Sequence, residues 1–203
     1  RKILLPILMM LLTWCFAIPA SAEFIREYTK ERPLVITSDW EFPPYEYMND
    51  MGTPDGYIID VLDLVLDKLD IPHKFVMQEW YKCMNSFESR EADLIHALSS
   101  IFDKRPYVMT QNMITYYNVK VARHRMTKPI VSLDQFSNRD TVILKRNDYG
   151  ALKLLERRPA FHTEYHSSRE ALTGLLSGKY KYYIWWENPL KIKLKELAID
   201  NIS

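Results

Sequence analysis

The chain has few cysteines, few glycines and almost no net charge, and each of these features argues against a functional class. Its 203 residues include two cysteines and five glycines, and 27 basic against 26 acidic side chains leave a net charge of +1. So few cysteines exclude a disulfide framework, and a balanced charge excludes the basic surface typical of nucleic-acid binding. No GxGxxG, P-loop or GxSxG motif occurs. With 47% hydrophobic residues, the composition is that of a packed globular protein.

The N-terminal segment has the pattern of a secretory signal peptide. "RK" precedes the apolar run "ILLPILMMLLTWCFAIPA", and the small residues "ASA" follow. We therefore predict export to the periplasm, with cleavage after about Ala22. A retained transmembrane anchor is the alternative, because the run is close to spanning length. After cleavage only Cys83 remains, and residues 23–32 form an N-terminal lead-in.

The next part of the chain alternates strands and helices. Short apolar runs at 33–38, 73–78 and 92–99 predict strands. Between them, 57–70 and 79–89 have apolar residues at helical spacing. In the first helix we expect Ile58, Leu62, Val65, Leu66 and Leu69 to face inward and Asp60, Asp63, Asp67 and Lys68 to face solvent. This order predicts a parallel α/β sheet with right-handed crossovers.

A second α/β unit follows an extended segment, 113–124, which we expect to carry the chain between two bodies. Strands are predicted at 140–145, 161–167 and 180–186, and helices at 149–158, 168–179 and 189–198. Ser167 with Glu170 forms a capping box, and Gly178 has the place of a helix C′ residue. Two lobes of this kind present the carboxyl ends of their strands to a shared cleft, where ligands bind.

The motifs along both units resemble those of the bacterial extracellular solute-binding proteins of family 3, the amino-acid-binding type. The resemblance starts near residue 33 and rests on "DWEFPPYEYMNDMGTPDGYIIDVLDLV", "LSSIFDKR", "TVILKRNDYG" and "YHSSREALTGLLSGKYKYYIWWENP". It implies a periplasmic-binding-protein (Venus flytrap) fold: lobe 1 at 33–118, lobe 2 at 119–203 and a hinge at the crossover. The family chain normally returns to lobe 1, so the resemblance also implies C-terminal truncation.

The resemblance also implies a set of ligand-contacting residues. Arg105 matches the arginine that clamps a ligand carboxylate, a role for which a planar guanidinium is suited. The acid that pairs with a ligand ammonium falls on Trp186, with Glu187 next to it. The other positions implied are Asp39, Phe42, Tyr45, Trp80, Ser99, Ser100, Asn147 and Asp148. The prolines after Phe42 stiffen this loop, so its rings are ordered before ligand binds.

Three functions remain open at this point. The first is binding of a small polar solute, an amino acid or related carboxylate, for an ABC importer permease. The second is ligand sensing as part of a membrane histidine kinase. The third, an enzyme on the same scaffold such as a dehydratase or lytic transglycosylase, is disfavoured because no paired-carboxylate site is evident.

We expect neither a cofactor nor a metal. His162, Glu164 and His166 lie on one face of a predicted strand, but no further ligand is evident nearby. The expected partners are a small molecule and either a permease or a fused kinase. Contact with a membrane is expected only through such a partner or through a missing C-terminal segment, and no nucleic acid is expected.

Overall fold

The computed structural model describes residues 27–98, 108, 115, 118–146, 148–156, 161–165 and 167–203. The predicted signal peptide lies outside these residues, as do Ser99, Ser100, Arg105, Asn147 and His166. No helix within the described part is both long and apolar enough to cross a bilayer.

Ten strands and five helices alternate along the described residues. The strands are β1 (Leu34–Asp39), β2 (Glu41–Phe42), β3 (Glu46–Met48), β4 (Pro54–Asp55), β5 (His73–Gln78), β6 (Leu94–Ile95), β7 (Val119–Arg123), β8 (Thr141–Lys145), β9 (Phe161–Tyr165) and β10 (Tyr182–Trp186). The helices are α1 (Tyr57–Lys68), α2 (Trp80–Glu88), α3 (Tyr149–Leu155), α4 (Ser168–Leu176) and α5 (Glu187–Glu196). The predicted elements are thus present, with the third strand shortened to two residues.

Lobe 1, the described residues up to 98, is built on a three-stranded parallel sheet in the order β5-β1-β6. The central strand β1 is almost wholly buried: its first half is apolar, and its second half, Thr37, Ser38 and Asp39, consists of buried polar residues. A small antiparallel sheet, β2-β3-β4, lies between β1 and α1 in the chain. The two prolines lie in the turn that joins β2 to β3, as the predicted stiff loop requires.

Lobe 2, the described residues from 118 onward, is built on the four-stranded sheet β7-β10-β8-β9. β8, β9 and β10 are parallel, as predicted, whereas β7 pairs antiparallel with β10. β7 comes from the crossover segment, so this segment joins the second sheet as an edge strand. Two buried clusters on β8 and β10, one holding Tyr183 and Trp185 and the other Val142 and Ile184, form the core of this lobe.

The inward face of α1 differs from the prediction. Ile58 and Leu66 are buried as expected, and Leu62 is partly buried, but Val65 is 45% exposed and Leu69 62% exposed. Ile59 is buried instead, so the buried stripe of the helix is shifted towards Ile59 and away from Val65. Asp60, Asp63, Asp67 and Lys68 are exposed, as predicted.

Two glycines define helix ends. Gly56, at φ 120°, precedes α1, and a Cβ there would lie 2.6 Å from the carbonyl oxygen of Tyr45. Gly178, at φ 74°, follows α4 in the left-handed conformation predicted for it. The predicted N-terminal cap of α4 is present as well, because the Ser167 side chain accepts a hydrogen bond from the Glu170 backbone N–H.

Candidate functional site

The carboxyl ends of β1 and β8 meet between the lobes. Asp39 is the last residue of β1 and Lys145 the last of β8, and their side chains form an ion pair across the lobes. Both are buried, with 4% of the Asp39 side chain and 5% of the Lys145 side chain exposed. This is where ligands bind in parallel α/β sheets, so the pair marks the candidate site.

Burial and charge act in opposite directions on this pair. Burial raises the pKa of Asp39, and the Lys145 ammonium opposes the increase. Burial lowers the pKa of Lys145, but Asp39 and its neighbouring carboxylates outweigh it and raise the pKa overall. Because the ammonium and the carboxylate are in direct contact, we assign both as charged at neutral pH. The second Asp39 oxygen, Oδ1, accepts a hydrogen bond from the Glu41 backbone N–H at 3.1 Å.

A second polar cluster lies directly behind Asp39 in lobe 1. Glu46 Oε2 accepts a hydrogen bond from the Asp39 backbone N–H at 2.9 Å and lies 3.2 Å from His96 Nε2. Ser38 Oγ lies 2.7 Å from the same nitrogen. Burial, with the Asp39 charge, raises the pKa of Glu46 well above its usual value, and burial lowers the pKa of His96 to about 4. The lowered pKa leaves the His96 imidazole neutral at pH 7.

The arrangement of Ser38, His96 and Glu46 differs from that of a catalytic triad. In a triad the two imidazole nitrogens serve different partners, one the nucleophile and the other the acid. Here the hydroxyl and the carboxyl both face Nε2, while Nδ1 has no hydrogen-bond partner among the described residues. Ser38 is also fully buried. The cluster is thus a buried support for Asp39.

Aromatic rings from both lobes line the region beside the ion pair. The Phe42 ring packs against Tyr45 at a centroid distance of 5.4 Å and edge-on against Trp186 of lobe 2 at 6.3 Å. The Tyr45 hydroxyl accepts a hydrogen bond from Asn188 Nδ2 at 2.7 Å, also across the lobes. The loop with the two prolines thus places the predicted rings at the interlobe face, where they contact lobe 2.

Asp148 and Trp186 are joined within lobe 2. Asp148 caps α3, its Oδ1 accepting the Ala151 backbone N–H at 3.0 Å. Its Oδ2 accepts the indole N–H of Trp186 at 3.1 Å. Burial raises the pKa of Asp148, opposed by these hydrogen bonds and by the Lys145 charge. Trp186 therefore has a polar role here, as a donor that orients Asp148.

Glu187 is held by side chains other than those of the Asp39–Lys145 pair. The Glu187 carboxylate is bound by Lys191 at 2.7 Å and by Asn118 at 3.2 Å, and Lys120 lies 3.6 Å away. The Lys191 and Asn118 hydrogen bonds lower its pKa. Trp80 is the first residue of α2 and is half-buried. The remaining predicted positions, Ser99, Ser100, Arg105 and Asn147, fall outside the described residues.

Several residues at this interface were not predicted from the sequence. Lys145, Glu46, His96 and Asn188 belong to the polar contacts described above, and Glu41 makes a further one with Ser168 of lobe 2. The sequence could have indicated Lys145, because it is a charged residue at the carboxyl end of the apolar strand "TVILK", the end that faces the cleft. A search of the described residues finds no group of three or more His, Cys, Asp or Glu side chains suited to hold a metal.

Fold and site together define a two-lobed α/β binding protein with its polar residues between the lobes. Residues 34–179 match the model of the bacterial extracellular solute-binding proteins, family 3. Since this match covers more than half of the chain, the chain belongs to that family. Family and fold are those of solute-binding proteins rather than of enzymes.

Solved structures with the same fold include transport and sensory proteins. An ancestral arginine-binding protein bound to arginine is 15% identical, with a TM-score of 0.72, covering 84% of this chain and 77% of that one. A histidine kinase sensor domain similar to periplasmic binding proteins is 18% identical, with a TM-score of 0.69 and coverages of 85% and 75%. The substrate-binding protein of an amino acid ABC transporter is 15% identical, with a TM-score of 0.68 and coverages of 84% and 76%. No curated protein matches.

Proposed function

We propose that this protein binds a small polar solute, an amino acid or a related carboxylate, in the periplasm for an ABC importer. Solute closes two lobes, 33–118 and 119–203, about a hinge at the crossover, because it contacts both. The observation that supports this most directly is the Asp39–Lys145 pair, which brings one acid and one base from different lobes to the strand ends. A zwitterionic solute offers a complementary group to each.

The aromatic contacts fit the same proposal. Phe42 and Trp186 come from different lobes and meet edge-on, so a solute bound beside them would contact apolar surface from both lobes. Arg105 remains our predicted carboxylate clamp, with Ser99, Ser100 and Asn147 as neighbours in the cleft. Trp80, Asp148 and Glu187 remain predicted contacts, Glu187 as the acceptor for an ammonium group.

A thermal-shift screen of residues 23–203 against amino acids, other carboxylates, polyamines and sugars tests this function. A solute that binds only the folded protein at a hundred times its Kd raises the melting temperature by about 5 to 10 °C. The increase should disappear in Arg105→Ala and in Lys145→Met. Arg139→Ala is the matched control, because Arg139 is exposed and precedes β8 in the chain. This variant should keep the increase in melting temperature.

Absence of any shift from a folded protein would contradict the small-solute proposal. A shift that survives both Arg105→Ala and Lys145→Met would leave a solute-binding protein with a different site. If polyamines or sugars raise the melting temperature and no carboxylate does, the solute is not an amino acid or a related carboxylate.

Ligand sensing within a membrane histidine kinase is the second candidate. It is favoured by the similarity to a histidine kinase sensor domain, whose coverage and TM-score are close to those of the transport proteins. The coding sequence that follows Ser203 separates the two candidates. A stop codon after two further helices supports import, and a spanning segment followed by a kinase supports sensing.

A further inference from the structure

Glu41 connects the lobes at a second point, next to the Asp39–Lys145 pair, and uses its side chain, whereas its backbone N–H binds Asp39. It is the first residue of β2 in lobe 1, and its carboxylate reaches the N-terminus of α4 in lobe 2. Oε2 accepts the backbone N–H of Ser168 at 3.0 Å, and Oε1 accepts the Ser168 hydroxyl at 2.5 Å. Lys193 of α5 lies 3.6 Å from Oε1. We call these three residues the Glu41 clasp.

The Glu41 clasp has the features of a strong contact. Ser168 is fully buried, and it is the first residue of α4, where backbone N–H groups have no partner within the helix. A carboxylate is favoured there by the helix dipole as well as by the two hydrogen bonds. Lys193, with 19% of its side chain exposed, adds a cation that is partly shielded from solvent.

The clasp does not use the predicted solute-binding residues. Glu41, Ser168 and Lys193 are all absent from that set, so the clasp can be made whether or not a solute lies at Asp39 and Lys145. The Asp39–Lys145 pair differs in this respect, because a solute would take its place. The clasp therefore acts on the position of the lobes and not on solute chemistry.

We propose that the Glu41 clasp holds the lobes together in the absence of solute. This inference rests on the hinge of the proposed function and goes beyond it. A ligand-free protein that is already closed has to open before solute can enter, which slows association. The clasp also retains a bound solute, because both lobes must separate before it leaves.

Small-angle X-ray scattering of the solute-free protein tests the clasp. Glu41→Gln keeps the size of the side chain but removes its charge, and we expect a larger radius of gyration than in the wild type. The loss of charge-assisted hydrogen bonds should lower the ratio of closed to open molecules by about ten- to a hundredfold. Ser168→Ala removes only the hydroxyl contact and should give a smaller change in the same direction.

Glu196→Gln is the matched control. Glu196 binds Lys193 at 2.8 Å within α5, so this variant removes one carboxylate from the same lysine without touching lobe 1. Its scattering should equal that of the wild type. Circular dichroism checks that each variant is folded, and Ser168→Ala keeps the test decisive should Glu41→Gln unfold.

Two results would overturn the proposal. One is a folded Glu41→Gln, or in its place Ser168→Ala, whose scattering equals that of the wild type. The other is an expansion in Glu196→Gln as large as in Glu41→Gln. The effect would then come from the charges around Lys193 within lobe 2 and not from the contact of Glu41 with lobe 2. Scattering is measured without solute, so failure of the solute screen leaves this test unaffected.

Discussion

Lys145 balances the charge of the candidate site at the scale of single residues. Among the described residues it is the one buried lysine or arginine, and it lies against Asp39 with Glu46 and Asp148 nearby. Removing one member of a buried ion pair leaves the other charged and poorly solvated, which costs more than the pair itself contributes. The stability of the closed protein thus depends on this lysine more than on any exposed one.

We expect Lys145→Met to lower the free energy of unfolding by about 3 kcal/mol, because it leaves the Asp39 carboxylate buried without a cation. Asp39→Asn combined with Lys145→Met should recover part of the loss, since no charge is then left unpaired. Urea denaturation followed by circular dichroism measures both. Lys74→Met on β5, where the lysine is exposed, is the control and should change stability little. If Lys145→Met lowers the free energy of unfolding no more than Lys74→Met does, water reaches the Asp39 carboxylate and the prediction fails.

His96 predicts how stability depends on pH. Burial lowers its folded pKa from 6.5 to about 4, so the unfolded chain takes up a proton at a higher pH than the folded protein does. Its contribution is therefore present above pH 6.5 and is lost as the pH falls towards 4. The raised pKa of Glu46 acts in the opposite sense, since its contribution is present below pH 4.5 and is lost as the pH rises.

The comparison of wild type with His96→Gln separates these two effects. The difference in unfolding free energy between them should change by about 3 kcal/mol between pH 7 and pH 4, to the disadvantage of the wild type at low pH. Urea denaturation at several pH values gives the difference. If the difference in unfolding free energy between wild type and His96→Gln does not change with pH, the His96 imidazole takes up a proton in the folded protein as readily as in the unfolded chain.

At the scale of elements, the start of α1 depends on a glycine. Gly56 has φ 120°, and an added Cβ would lie within 3 Å of three backbone atoms of Tyr45 and Glu46. Backbone atoms cannot give way as a side chain does, so a substitution moves the β3 strand or the helix. Both carry residues of the interlobe face, which links this turn to the site.

Gly56→Ala should lower the melting temperature by about 5 °C or more, through steric overlap added to the cost of the positive φ. Gly52→Ala provides a matched control. Gly52 also has a positive φ, 74°, but an added Cβ meets nothing within 4 Å, so only the conformational cost of about 1 kcal/mol applies. Differential scanning calorimetry of the two variants measures the steric part. Equal decreases in the melting temperatures of Gly56→Ala and Gly52→Ala would show that the turn at Gly56 accommodates the added Cβ without a steric cost.

The elements themselves were largely predictable from the sequence, whereas their contacts were not. β1, β5 and β8 follow from short apolar runs, and α4 from its cap and its terminal glycine. The predicted inward face of α1 was wrong at Val65 and Leu69, because the helix is rotated so that Ile59 is buried. The Asp39–Lys145 pair joins residues 106 positions apart. Periodicity is a local signal, so it could identify neither this partner nor the pairing of β7 with β10.

At the scale of the whole molecule, the two lobes differ in the size of their buried apolar clusters. Among the described residues, the two clusters of lobe 2 hold nine and seven buried residues. The two clusters of lobe 1 hold three each. Apolar surface removed from water supplies most of the stability of a domain. We therefore expect lobe 2 to open less often than lobe 1.

Hydrogen exchange measured by mass spectrometry tests this difference. The amides of β10, the strand between β7 and β8, should exchange about tenfold more slowly than those of β1, the strand between β5 and β6. Both are central strands of their sheets, so each serves as the matched reference for the other. Equal rates would mean that the contacts across the lobes, including the Glu41 clasp and the Asp39–Lys145 pair, make the protein a single cooperative unit. Slower exchange in β10 would mean that these contacts break before the core of lobe 2 does, as expected for lobes that must separate to admit a solute.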